Sequence, residues 1–123
     1  MTKDDKDILL KDLCARLPYG VKCKIIKRRI DGEMLFIRNG LTLTIDNVKD
    51  LVTNNLYEIK PYLFPISSMT EEQIKEFNNI TQKCSTYIGK SILLTDFCNK
   101  HHIDWREFIE KELALDATGL TIY

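Results

Sequence analysis

KPYLFPISSMTEEQIKEF, residues 60–77, joins two halves of different pattern. Proline fixes its own φ and biases the residue before it toward extended geometry, and Pro61 and Pro65 do this four residues apart. No long helix passes through Tyr62, Leu63 and Phe64 between them. These large, mostly apolar side chains read as a short extended or 3₁₀ piece pressed against a core. Ile66, Ser67 and Ser68 turn the chain. Thr70 with Gln73 three residues later is a capping box: the hydroxyl accepts a backbone amide and the Gln side chain reaches back. Met69 and Ile74 are placed for a hydrophobic staple across that cap. Glu71 and Glu72 put negative charge where the helix macrodipole favours it. The stretch therefore ends a β-patterned half, residues 19–66, and starts a helical half, residues 67–117.

Working upstream, Leu9, Leu10, Leu13, Cys14 and Leu17 recur at helical spacing and predict an amphipathic helix over 5–17, stopped by Pro18-Tyr19-Gly20. Residues 21–30, VKCKIIKRRI, alternate as a strand, with Val21, Cys23 and Ile25 on one face. Asp31-Gly32 and Asn39-Gly40 are both hairpin signals. They predict further strands over 34–38 and 41–45, and hence a three-stranded meander. Residues 46–55 read as a short helical turn or a loop, and residues 56–60 as a fourth strand. So many short strands predict either a curved antiparallel sheet covered by helices or an SH3-like small barrel.

Downstream, the pattern predicts a helix over 71–81, an interruption at Gly89, and a short buried run at Ile92-Leu93-Leu94. Thr95 is placed to cap a short helix carrying Phe97, Cys98 and His101. Asp104 with Glu107 reads as a second capping box, opening a last helix over 105–115 with Trp105, Phe108, Ile109 and Leu113 inward. The fold class is α+β in one domain: an N-terminal helix, the sheet or small barrel, then C-terminal helices.

The 123 residues are 44 % hydrophobic and 29 % charged, as in ordinary globular chains. The 18 basic and 18 acidic side chains cancel, so no global field recruits nucleic acid or a membrane surface. The balance hides an asymmetry: residues 1–50 hold 11 basic and 8 acidic side chains, residues 51–123 hold 7 and 10. No apolar run is long enough for a membrane span, and MTKDDKD lacks a signal peptide's layout. Cys14, Cys23, Cys84 and Cys98 then read as reduced thiols of a cytoplasmic protein.

Three groups of residues are candidates for function. Lys22, Lys24, Lys27, Arg28 and Arg29 make a cationic strand that is either a phosphate-tracking face or a solvated edge; no aromatic interleaves them to stack bases. Tyr62, Phe64 and Met69 around the joint either form a partner-binding surface or close the core between the halves. Cys98, His101 and His102 show one short ligand pair where structural zinc sites show two, so no metal is assigned. No Gly-rich phosphate loop, nucleophile elbow or HExxH helix is present, so neither an enzymatic activity nor a cofactor is expected. Oligomeric state is not legible, though an open edge at 21–30 would permit sheet extension across a two-fold.

DLCARLPYGVKCKI (12–25), IKPYLFPISSMTEEQIKEF (59–77) and NKHHIDWREFIEKELALDA (99–117) resemble a large group of small uncharacterised proteins common in gut Bacteroidales genomes and in their phages and prophages. The three blocks span 14, 19 and 19 of the 123 residues, in matching order and spacing. The resemblance carries no known activity and transfers no site residue. It implies a phage or mobile-element context in a bacterial cytoplasm. The expected function is a non-enzymatic interaction module acting on a host or phage protein. The alternatives are a small nucleic-acid-binding barrel using residues 22–29, and a small-ligand sponge.

Overall fold

A computed structural model describes all residues, Met1–Tyr123. Helix α1 covers Lys3–Arg16, β1 Lys22–Arg28, β2 Met34–Thr42, α2 Val48–Thr53, β3 Tyr57–Leu63, α3 Glu71–Lys83, α4 Tyr87–Lys100 and β4 Leu115–Asp116. The strands form one open sheet in the order β2-β1-β3-β4. Strand β1 is antiparallel to both β2 and β3, and β4 lies parallel to β3. The class is the expected α+β, the sheet is open rather than a closed barrel, and the parallel β4 makes it mixed where an antiparallel sheet was expected.

Residues 34–45 depart from the meander. Strand β2 runs unbroken through Asn39-Gly40, and the next segment lacks strand structure after Thr42. Gly40 has φ +74°, and the register slips where Lys24 faces this dipeptide. An Asn-Gly pair supplies the left-handed residue that a bulge needs as readily as the one a hairpin turn needs. The hairpin signal therefore marks a bulge, β1 becomes central rather than an edge, and Ile45 is left in solvent. Strand β3 extends through Pro61 to Leu63. It tolerates a proline because β4 pairs only Tyr62 and Leu63, so the outer side of β3 is an edge as far as Pro61.

One core lies between α1, α2 and the sheet: Leu9, Leu13, Val21, Cys23, Ile25, Val52, Ile59 and Leu63 are buried there, with Phe108 and Leu113 closing it. Each fully buried aliphatic side chain contributes about 1.5–3 kcal/mol. Helix α1 is capped by Thr2 and Asp5 in a reciprocal box. Its buried face differs from the expected stripe. Cys14 is exposed, and Asp12 and Arg16 sit beside Leu9 and Leu13 in the interior. A second, smaller cluster holds Phe97, Cys98 and Ile103, with Met69, Phe77, Ile80 and Trp105 against it.

The seam between the clusters runs along Phe64. Its N–H donates to His102 O and its carbonyl accepts from Asp104 N–H, both at 2.8 Å. Tyr62 and Leu63 are buried, as a glued joint requires, and Phe64 is half-buried. The capping box at Thr70 and Gln73 forms as expected, and Ile74, the expected staple residue, is exposed.

The expected last helix does not form. Residues 105–114 are turns, with Glu107 and Glu112 both at φ +61°. Asp104 caps these turns itself: its carboxylate accepts from Phe108 N–H at 2.8 Å and Ile109 N–H at 2.9 Å. Phe108 and Leu113 still point inward, and the chain then re-enters the sheet as β4. The hydrophobic anchors were readable; the left-handed residues that break the helix between them were not. Strand β4 also means that the helical half is not wholly helical.

Candidate functional site

Helices α3 and α4 form a hairpin joined by Cys84, Ser85 and Thr86. Where an interruption was expected at Gly89, a single helix runs from Tyr87 to Lys100. The Thr86 hydroxyl accepts Gly89 N–H at 3.1 Å as the N-cap. A Cβ on residue 89 would come within 2.8 Å of that hydroxyl, so glycine here makes room for the cap rather than ending the helix.

Between the hairpin and the joint lies an apolar groove of about 360 Å³. Phe77 of α3, Leu94 and Cys98 of α4, Met69, Ile103 and Trp105 line it, with Tyr87, Lys90, Ser91 and Thr95 along its α4 side. The Phe77 and Phe97 rings meet edge-on at 6.1 Å beneath it. Trp105 is held from two sides. Its indole N–H donates to Asn99 Oδ1 at 3.2 Å, and the Arg106 guanidinium lies 4.1 Å over its ring. Arg106 in turn donates to Asp12 at 3.2 Å, so α1 orients the groove wall.

The surface beside the groove is also apolar. Tyr87, Ile88, Ile92 and Leu93 of α4 are between 47 and 87 % exposed. The buried run expected at residues 92–94 is therefore mostly a surface: only Leu94 turns partly inward. The legible signal was that α4 carries apolar residues at 88 and 92 as well as at 94, 97 and 98, more than one packed face needs.

Of the three joint residues singled out from sequence, only Met69 reaches this groove. Tyr62 is buried on the sheet, its hydroxyl donating to Asn39 Oδ1 at 3.3 Å. Phe64 packs 6.0 Å from the Tyr123 ring. The basic residues are spread over different surroundings. Lys22 Nζ donates to Ile122 O at 2.9 Å, and Lys27 Nζ to the Tyr57 hydroxyl at 3.1 Å. Arg28 lies 3.7 Å from Glu58, and Arg29 pairs with Asp31 and Glu33. Lys24 lies beside Lys60, its neighbour across the strands. Only Arg28 and Arg29 have acidic partners, and the five do not form one free cationic face.

Cys98 is buried, and burial pushes its thiol above the ordinary value, disfavouring the reactive thiolate. His101 packs 4.7 Å from the Phe97 ring and 3.6 Å from Glu76. His102 stacks on Tyr123 at 3.8 Å, and burial, reinforced by Arg16, lowers it to about 4. These three side chains do not join a group of three or more ligating residues. No helix is long and apolar enough to cross a membrane. No protein-family model, curated protein or solved structure matches the chain.

Proposed function

We propose that this chain is a non-enzymatic interaction module of phage or mobile-element origin, working through protein contacts in a bacterial cytoplasm. Its partner, a host or phage protein, inserts an apolar anchor into the α3–α4 groove. The observation that carries this reading is the continuity of the 360 Å³ groove with the exposed Tyr87, Ile88, Ile92 and Leu93. Monomeric soluble proteins rarely leave a contiguous apolar patch of this kind uncovered. An amphipathic helix laying its apolar face into such a groove is a recurring mode of recognition. The raised Cys98 thiol supports a non-catalytic role.

A small apolar ligand is the second reading, because the groove volume falls within the range of ligand pockets. Nucleic-acid binding stands behind both, since four of the five basic residues already have partners within the chain.

The test is capture from bacterial lysate with three baits. Ser91→Phe plugs the groove from an exposed position, and Ile45→Glu changes an exposed apolar residue of the β half. The reading expects a protein retained by the wild type and by Ile45→Glu and lost by Ser91→Phe. Equal capture by Ser91→Phe contradicts it. Displacement of a bound lipid or metabolite, with no protein retained, favours the ligand reading instead.

A further inference from the structure

The outer edge of β2 has no strand beside it. Met34, Leu35, Phe36 and Ile37 are between 39 and 54 % exposed. Successive side chains of a strand point to opposite faces, so both faces of this arm are apolar and uncovered. Residues 34–42 hold no lysine or proline, and Arg38 is their one charged side chain, so the edge between the bulges is lightly guarded. Register slips near Leu35 and at Asn39-Gly40 frame a regular stretch, residues 36–38, paired in step with residues 25–27.

The accessible surface points the same way. The chain exposes 7939 Å² at 14.4 kDa. A compact monomer of that mass exposes about 6,800 Å². The excess, about 1,100 Å² on that scale, is shared between this arm and the exposed α4 surface, and exceeds the roughly 800 Å² that each partner contributes to a standard interface.

We infer that a second copy of this chain pairs with β2, antiparallel and about a two-fold at Ile37, giving a continuous eight-stranded sheet. A two-fold contact must be self-complementary, with each residue's partner facing it in return. Here Ile37 meets Ile37, and Phe36 of each chain lies opposite Arg38 of the other. The Arg38 guanidinium already sits 5.6 Å over the Phe36 ring within one chain, so the cross-chain pairing repeats a contact the strand makes. The unpaired N–H and C=O groups of the edge find partners in the same step. This dimer is independent of the groove on α4.

Sedimentation velocity on the full chain tests it. The wild type sediments as a dimer at micromolar concentration and dissociates on dilution. Ile37→Lys sets two ammonium groups against each other at the axis and leaves a monomer with an unchanged circular dichroism spectrum. Mixing Ile37→Lys with Ile37→Glu restores the dimer. If Ile37→Lys loses its fold, Arg38→Glu is read in its place, with the same loss of dimer expected. A wild type that stays monomeric throughout, or an Ile37→Lys chain that still dimerises, overturns the inference.

Discussion

Arg16 lies one helical turn after Asp12 on α1, and the two side chains form a 2.8 Å ion pair that is 0 % and 1 % exposed. The pair does more than brace its own helix. Arg16 Nη2 donates to Ile103 O at 2.8 Å, and Asp12 also accepts from Arg106 at 3.2 Å. Helix α1 thus grips the segment that runs beside Phe64, where the two clusters meet. Arg16 Nη1 has no partner within the chain.

Asp12→Ala strips the counter-charge from a buried guanidinium and destabilises the fold by about 3–5 kcal/mol. Urea melts followed by circular dichroism measure it. The double variant Asp12→Leu with Arg16→Met recovers most of that loss, because an apolar pair of similar volume has no charge to desolvate. A double variant as unstable as Asp12→Ala would show that the Ile103 contact, not the charge, dominates.

Asp104→Ala removes the acceptor of two backbone N–H groups, those of Phe108 and Ile109. Phe108 is buried, so its amide has no water to turn to. The loss is about 1–3 kcal/mol. Asp104→Asn, which keeps one acceptor oxygen, falls between the two. Amide exchange at Phe108 reports it directly: faster exchange there and little change within α3 is the expected pattern.

His102 is held at about 4 in the folded chain against 6.5 for the free side chain, through burial first and then Arg16, His101 and Lys22. Between those values the unfolded chain binds the extra proton. Its contribution to stability is therefore complete above pH 6.5 and is lost as pH falls toward 4. With partial exposure and solvent screening allowed for, the loss is about 1–2 kcal/mol. His102→Phe keeps a ring against Tyr123 and removes the titration. Its urea midpoint should fall less than the wild type's between pH 7 and pH 5. Identical slopes would assign the acid sensitivity to other groups.

Local chemistry made much of this fold legible. The Thr70–Gln73 box, the Asp31-Gly32 turn and the inward placement of Leu9 and Leu13 depend on a few residues, and each formed as read. Three features depend on distant partners and left weaker traces. Asn39-Gly40 carries the same requirement for positive φ in a bulge as in a hairpin, so only the pairing with β1 distinguishes them. Asp104 looked like a helix cap because a carboxylate accepts backbone amides equally well from a turn. Asp12 and Arg16 carry no mark of burial in the sequence, because only the approach of residues 103–106 buries them. The groove was hidden for a related reason. Gly89 reads as a breaker until the Thr86 hydroxyl is seen to occupy the space of its missing Cβ.

Trp105 is the chain's one tryptophan and lines the groove, so its fluorescence tests most directly whether that groove receives an apolar guest. Titration of the full chain with 8-anilinonaphthalene-1-sulfonate should give saturable energy transfer from Trp105 to one bound probe per chain, abolished by Ser91→Phe with the fold intact. Transfer that never saturates, or that survives Ser91→Phe unchanged, would contradict an open apolar receptor between α3 and α4.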